Sequence, residues 1–220
     1  MKIMFAKTLV AAMAAAVASL PAAADGTQKI VADSQPDAVY VARLSPLNTT
    51  VTGRAASGEA RFTIKGDRLT ITVRAQGVPP NISHWQHFHG FTDARSSACP
   101  TKAADVNGDG IIDLIETAPM AEMTMVPFHD DPVSMEIPRD TYPKASPKGA
   151  LQCRKTVSLS ALQEAFGKAF AGRKLDLDRR VFMMHGVSVA AKLPASVASL
   201  GTIPAQVTLP IACGKITRLR

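Results

Sequence analysis

The chain has 220 residues, of which 46% are hydrophobic and 20% are charged, and its formal net charge is +7 at pH 7. This length is enough for one well-buried domain. The basic residues are scattered, without a run or interleaved aromatic residues, which excludes a nucleic-acid surface, although a mildly positive field can attract a small anion.

The N-terminus carries a targeting pattern. Lys2 and Lys7 precede an apolar run that is too short to cross a membrane, and no second apolar stretch approaches about 18 residues. Ala22 and Ala24 satisfy the small-x-small rule for signal-peptide cleavage. We therefore predict a secretory signal at 1–24 and a single domain at 25–220, periplasmic or secreted, with no membrane span.

The first half of the predicted domain indicates β-structure. Residues 38–44 and 58–77 alternate apolar and polar side chains with a period of two. Gly66 and Asp67 interrupt the second segment and predict a two-residue hairpin turn, because glycine supplies the positive φ that such turns need. Residues 84–90, "HWQHFHG", predict another short strand.

The second half predicts long loops and one helix. Residues 90–133 and 139–154 show little periodicity, and loops of this length are usually functional or disordered. A short helix is predicted at 160–172 with Ser160 as its N-cap. Two closing strands are predicted, at 179–187 and 206–216. Many short strands with one helix indicate an all-β fold, either a sandwich or a Greek-key barrel.

The predicted export decides the expected chemistry of the three cysteines, Cys99, Cys153 and Cys213. A disulfide is expected in an oxidising compartment. Because three is an odd number, at most one bridge forms within the chain and one thiol is left over.

Three of the five histidines lie in "HWQHFHG". Residues two apart on a strand point to the same side, so His87 and His89 share a face and His84 points the other way. Two imidazoles at this spacing can converge on one metal ion if one binds through Nδ1 and the other through Nε2. His185, in an apolar strand, and His129, near the end of the long loop, are the candidates for further ligands.

The alternative to a metal site is a set of hydrogen-bonded core histidines, which is the usual role of a single buried histidine. Two adjacent imidazoles gain little from packing together, so the His-x-His pattern favours metal binding. Imidazole ligands suit copper, zinc, iron or nickel.

The first long loop contains the pattern of an EF-hand-type calcium loop, "DVNGDGIIDLIE", at 105–116, with Gly110 at the sharp turn. Flanking helices are not evident, so we predict one structural calcium loop and not a paired EF-hand domain. The predicted ligands are Asp105, Asn107, Asp109, the carbonyl of Ile111, Asp113 and Glu116. The alternative is an acidic, glycine-rich surface turn.

Three motifs resemble the copper/zinc superoxide dismutase family. "GVPPNISHWQHFHGFTDARSSAC" resembles its histidine-rich strand and the cysteine that follows, "RRVFMMHGV" its late strand with the last copper histidine, and "IACGKI" its closing strand. Their order along the chain is that of the family, and the match covers most of residues 38–216. The resemblance implies a Greek-key β-barrel with long loops, a copper site and dismutation of superoxide.

The resemblance also assigns roles to individual residues. The implied copper ligands are His87, His89 and His185, with His129 as a further candidate, and the implied structural histidine is His84. The implied disulfide joins Cys99 to Cys213 and leaves Cys153 free; pairing of Cys99 with Cys153 is the alternative.

The chain departs from the family at two sites. It lacks the histidines that the family's zinc site needs, so zinc is not expected. The position of the family's active-site arginine is Pro210, which favours copper binding over efficient dismutation. The calcium pattern lies between Cys99 and His129, where the zinc ligands would be expected, and we hypothesise that calcium takes over the ordering role of zinc.

Two rival functions remain open. Residues 44–73 resemble the opening of a CHRD domain, a β-module that likewise carries a His-x-His strand. This resemblance implies a non-catalytic extracytoplasmic module with calcium as its only metal. The third hypothesis is a hydrolytic zinc enzyme, with Asp130 or Asp131 as its general base.

Overall fold

The structure is a computed structural model that describes residues 35–93 and 95–220. The secretory signal predicted at 1–24 and the first residues of the predicted domain lie outside this part of the chain. Within it, every helix is too short or too polar to cross a membrane.

Eight strands and four α-helices are found in the described residues. The strands are β1 (Ala38–Pro46), β2 (Ser57–Lys65), β3 (Arg68–Gln76), β4 (Gln86–Gly90), β5 (Met123–Pro127), β6 (Ala150–Ser158), β7 (Val181–His185) and β8 (Pro210–Arg218). The helices are α1 (Thr49–Thr52), α2 (Leu114–Ala121), α3 (Leu159–Ala169) and α4 (Ala205–Thr208). Single turns of 3-10 helix occupy Lys102–Ala104, Pro132–Ser134 and Leu177–Arg179. The all-β prediction is confirmed.

The strands form one antiparallel sheet in the order β5-β4-β7-β8-β1-β2-β3-β6. In a flat sheet β2 and β4, four positions apart, would be separated by about 19 Å. The rings of Phe62 in β2 and Phe88 in β4 are nevertheless only 5.1 Å apart between centroids. The sheet is therefore strongly curled, and its concave face encloses the core.

Alternation of apolar residues explains the β2–β3 hairpin. The pairing runs from Lys65 opposite Arg68 to Ser57 opposite Gln76, and the turn between the strands is Gly66-Asp67, with Gly66 at φ 55°. The predicted hairpin is therefore confirmed. A side-chain period of two together with a two-residue turn leaves only one register.

Four phenylalanines fill the centre of the concave face. Phe62, Phe88, Phe128 and Phe182 are fully buried, and the rings of Phe128 and Phe182 stack with centroids 5.7 Å apart. A second, smaller cluster lies on the other face of the β7–β8 pair, where Val181, Met183 and Cys213 pack beneath α2. The residues of β7 and the first five residues of β8 are therefore buried on both sides.

The long loops contain more regular structure than the sequence predicts. Helix α2 and strand β5 both lie within 90–133, and β6 begins at Ala150 inside the segment predicted to be irregular up to residue 154. Helix α2 contains Pro119, a residue that normally breaks a helix, so the sequence does not indicate a helix there. Strand β5 is five residues long and ends in proline, too short for its alternation to be visible. Their formation depends on pairing with neighbours distant in sequence.

Several predicted boundaries are wrong: β4 starts at Gln86 and not at residue 84, β7 is shorter than the predicted 179–187, and α3 ends at Ala169. Helix α3 begins at Leu159, and its N-cap is Ser158, whose hydroxyl accepts a hydrogen bond from the Ala161 backbone N–H at 3.1 Å. Ser160 lies inside the helix, and its backbone N–H donates to the Asp67 carboxylate at 2.7 Å. The hairpin turn thus moves the helix start two residues earlier. At the C-terminus, residues 205–208 form a helical turn, so the last strand starts only at Pro210.

Candidate metal centre

Strand β4 presents two histidines on one face. Phe88 points into the aromatic core, so His87 and His89, one residue to either side, point away from it. Gln86 shares the core side with Phe88 and is fully buried. The local β-geometry therefore gives the two imidazoles the common face predicted from their spacing.

Strand β7 brings the third histidine to the same face. It pairs antiparallel with β4, with Gln86 opposite Met184, and the His185 backbone N–H donates to the Trp85 carbonyl at 2.7 Å. On the other side, a register shift in the β7–β8 pair places His185 opposite Pro210. The sheet thus joins residues about 100 positions apart in the chain.

The three rings form a compact, buried group. Their centroids are 5.6 Å apart for His87 and His89, 4.9 Å for His87 and His185, and 5.2 Å for His89 and His185. One nitrogen from each ring lies within 4.8 Å of the other two, and each residue is at most 4% exposed. Among the described residues, this is the one set of three or more His, Cys, Asp or Glu side chains that converges this closely.

Four ring nitrogens of this group have no hydrogen-bond partner. Both nitrogens of His87, Nε2 of His89 and Nδ1 of His185 are buried and make no hydrogen bond. Leaving a buried polar group unsatisfied costs about 1–3 kcal/mol. A metal ion bound by these nitrogens would remove that cost, so the donor set fits a metal with a preference for imidazole.

Burial keeps the three rings neutral. It lowers the pKa of His89 to about 4. Burial holds the pKa of His87 well below its ordinary value, and repulsion between protonated rings, His185 first, lowers it further. Burial, followed by the same repulsion from His89, also holds the pKa of His185 well below its ordinary value. Neutral imidazole is the form that binds metal, so the group is in its metal-binding protonation state at neutral pH.

His129 is fully buried nearby but does not belong to the group of converging nitrogens. Its Nδ1 accepts a hydrogen bond from the Asp131 backbone N–H at 3.0 Å, which leaves the proton on Nε2, and Nε2 donates to the Glu136 carbonyl at 2.6 Å. Tyr142 contacts the rings of both His129 and His87. A role for His129 as a fourth ligand would require one of its backbone hydrogen bonds to break.

His84 is fully buried and lies two residues before β4, outside the strand predicted to begin with it. One ring nitrogen lies 3.0 Å from the His185 carbonyl and the other 2.8 Å from the Pro79 carbonyl. Burial lowers its pKa, and the two carbonyls act in the opposite direction. The ring therefore connects the backbone of a candidate ligand to the loop before β4.

The acidic side chains of the loop at 105–116 accept hydrogen bonds from the backbone N–H groups of the same loop. Asp105 accepts hydrogen bonds from the backbone N–H groups of Gly108, Asp109 and Gly110, and Glu116 accepts from Val106 and Asn107. The predicted calcium ligands Asn107, Asp109, Asp113 and Glu116 all accept backbone hydrogen bonds too. The carbonyl of Ile111 belongs to the same loop. Calcium binding here stays a prediction.

Two aromatic residues beside the metal centre are absent from the sequence-based interpretation. Trp85 and Tyr142 stack with centroids 5.4 Å apart and an interplanar angle of 22°, and Trp85 lies 6.1 Å from His87 between centroids. Tyr142 is buried and donates its hydroxyl to the Ile137 carbonyl at 2.9 Å. Tyr142 lies in a stretch predicted to be irregular, and no sequence pattern marks it.

The buried side chain of Arg180 leaves no room for a side chain at Gly90, the last residue of β4. Arg180 donates to the carbonyls of Leu175, Phe91 and Lys174 at 2.9, 2.6 and 3.2 Å. A Cβ at Gly90 would lie 2.6 Å from one guanidinium nitrogen. The guanidinium is thus committed to backbone carbonyls.

The structure pairs Cys99 with Cys213, a sequence separation of 114, and leaves Cys153 as a partly buried free thiol. The alternative pairing of Cys99 with Cys153 is therefore wrong. Burial raises the pKa of the Cys153 thiol, which makes it a poor nucleophile.

No known protein-family model matches this chain. No curated protein is similar enough in sequence to count as a match either. The geometry of the three-histidine group is therefore the basis for assigning a function.

Proposed function

We propose that this chain is an exported metal-binding protein whose histidines His87, His89 and His185 hold a copper ion. One observation carries the proposal: three buried imidazoles from two strands converge, and four of their ring nitrogens lack any hydrogen-bond partner. A hydrophobic core gains nothing from such an arrangement, because unpaired buried nitrogens are costly.

Fold and disulfide support the likeness to copper/zinc superoxide dismutases. The sheet is antiparallel and strongly curled, and Cys99 is bonded to Cys213, the pairing that the resemblance implies. The disulfide also fits an oxidising compartment, and therefore export. A Greek-key barrel of the dismutase type is accordingly part of the proposal.

The residues around the site favour binding over rapid dismutation. When bound, copper would supply one-electron redox chemistry. The chain itself excludes bulk water from the three ligands and keeps them neutral. Pro210, which the resemblance places at the position of the family's arginine, lies opposite His185, and a proline cannot hold a small anion by charge. The guanidinium of Arg180 is already occupied by carbonyls.

The single tryptophan provides a direct test. Cu²⁺ is paramagnetic and quenches nearby indole fluorescence, so titration of the metal-free protein is expected to quench Trp85 with one-to-one saturation, whereas diamagnetic Zn²⁺ does not. His185→Ala is expected to weaken Cu²⁺ binding by more than about 100-fold, since even loss of an outer partner of a ligand costs 10–100-fold.

His129→Gln is the matched control, because it replaces a buried histidine outside the converging group. It is expected to keep one-to-one Cu²⁺ binding. Absence of saturable quenching in the folded wild-type protein would exclude the copper proposal and leave the CHRD-like, non-catalytic alternative.

Calcium at 105–116 remains a separate prediction. If the loop binds calcium, adding it at about 100 times its dissociation constant raises the free energy of unfolding by about 2.7 kcal/mol. Asp105→Asn should abolish this gain, whereas Asp93→Asn, an exposed carboxylate outside the loop, should retain it. Thermal unfolding with calcium and with a chelator measures the effect, and identical melting temperatures would exclude a calcium site.

A further inference from the structure

The tautomer of His89 is set by one backbone carbonyl. Its Nδ1 lies 3.3 Å from the Ala121 carbonyl oxygen. A carbonyl only accepts hydrogen bonds, so Nδ1 carries the proton and the lone pair is on Nε2. Nε2 is also the buried nitrogen of His89 that has no partner. The carbonyl therefore keeps the lone pair of this ring on the nitrogen that has no partner within the protein.

Ala121 is the last residue of α2, and it is fully buried against the outer face of β7. The helix begins at a capping box: the Asp113 carboxylate accepts from the Glu116 backbone N–H at 3.1 Å, and the Glu116 carboxylate accepts from the Asp113 backbone N–H at 3.1 Å. Because both carboxylates are buried, the start of the helix is well defined.

Ile112, the residue just before this capping box, is linked by hydrogen bonds through Asn48 to strand β8, which lies beside His185. The Asn48 side chain accepts from the Ile112 backbone N–H at 2.8 Å and donates to the Ile112 carbonyl at 2.8 Å. Its second amide hydrogen goes to the Pro210 carbonyl at 2.9 Å. Pro210 is the residue paired with His185.

Segment 112–121 is therefore linked to the metal centre at both ends, directly at Ala121 and through Asn48 and Pro210 at Ile112. Asn48 joins its first residue to the partner of His185, and the Ala121 carbonyl joins its last residue to His89. Asn48 is only 9% exposed, and its amide uses both N–H groups and its oxygen. Its backbone adopts the left-handed conformation at φ 51°, which asparagine tolerates better than most residues.

We propose that Asn48 is a positioning residue for the metal centre, which acts through segment 112–121 to hold the Ala121 carbonyl against His89. Loss of the amide donors releases the start of the segment, and the Ala121 carbonyl no longer holds a single tautomer of His89. The expected loss of Cu²⁺ affinity is about 10–100-fold, as for other outer partners of metal-binding histidines.

Asn48→Asp tests the proposal with almost no change in size, because the carboxylate cannot donate to the carbonyls of Ile112 and Pro210. Asn48→Gly is the uncharged second variant, and it keeps the left-handed backbone accessible. Asn81 is the matched control position, since it is an exposed asparagine with φ 63°. Asn81→Asp and Asn81→Gly should therefore behave as wild type.

Two readouts separate positioning from stability. The ¹⁵N chemical shifts of His89 in the metal-free protein report which nitrogen carries the proton, and Cu²⁺ titration of Trp85 fluorescence reports affinity. We expect protonated Nδ1 in the wild type and in the Asn81 variants, and mixed tautomers with weaker Cu²⁺ binding in folded Asn48 variants. Urea unfolding of each variant shows whether lost stability alone accounts for the change.

A wild-type His89 protonated on Nε2, or a folded Asn48 variant with wild-type tautomer and affinity, would overturn the proposal. The affinity readout rests on the proposed copper function, whereas the tautomer readout does not. Absence of Cu²⁺ binding in a wild-type protein with protonated Nδ1 would therefore contradict the proposed function and leave the positioning of His89 by segment 112–121 supported.

Discussion

Removal of the Cys99–Cys213 disulfide is expected to lower the free energy of unfolding by about 4–5 kcal/mol, the entropy of closing a loop of this length in the unfolded chain. The cross-link spans 114 residues. It also holds the segment after β4 against β8, because Cys213 lies in β8. Such a loss is a large fraction of the total stability of a small domain.

The double variant Cys99→Ser/Cys213→Ser measures this effect in urea unfolding and prevents a new bridge to Cys153. Cys153→Ser is the matched control, because that thiol is free and only partly buried. The control should change stability by less than about 1 kcal/mol. Equal stabilities of the double variant and the control would contradict the role assigned to the disulfide.

Acid is expected to destabilise the metal-free protein through its buried histidines. An unfolded histidine titrates near pKa 6.5, whereas burial lowers the pKa of His89 to about 4. Between these values the unfolded state binds a proton that the folded state does not, so the free energy of unfolding falls as the pH falls. The loss from His89 alone is about 3 kcal/mol when the pH drops through this window. His87 and His185 shift in the same direction.

Urea unfolding of wild type and His89→Leu at about pH 7.5 and pH 4.5 measures this contribution, since titrating groups that do not interact with His89 cancel in the comparison. The variant should lose less stability than wild type between the two conditions, by about 2–3 kcal/mol. Parallel pH dependences would show that His89 is accessible to protons in the folded state.

Local patterns predict the strands that carry the candidate site. The alternation in 58–77 and the Gly66-Asp67 turn define the β2–β3 hairpin, and the His-x-His spacing places His87 and His89 on one face of β4. Both depend only on the period of two along an extended chain, which is a local property. The same argument does not extend to His84, because β4 begins only at Gln86.

Helix α2 illustrates why the sequence alone does not predict every helix and strand. It is eight residues long, contains Pro119, and has weak helical periodicity, so local propensity argues against it. Its capping box and its burial against Val181 and Met183 stabilise it in the folded protein. Strand β5 and the start of β6 likewise exist because neighbouring strands satisfy their backbone hydrogen bonds.

The sequence by itself determined the all-β class, the β2–β3 hairpin and the shared face of His87 and His89, because these follow from periodicity within a few residues. Only the tertiary structure decided that His185 joins them, that His129 is held by backbone groups, and that Cys99 pairs with Cys213. These features depend on strand order and register between segments about 100 residues apart. Periodicity along the chain carries no information about which distant strand becomes the neighbour, and packing of the whole sheet makes that choice.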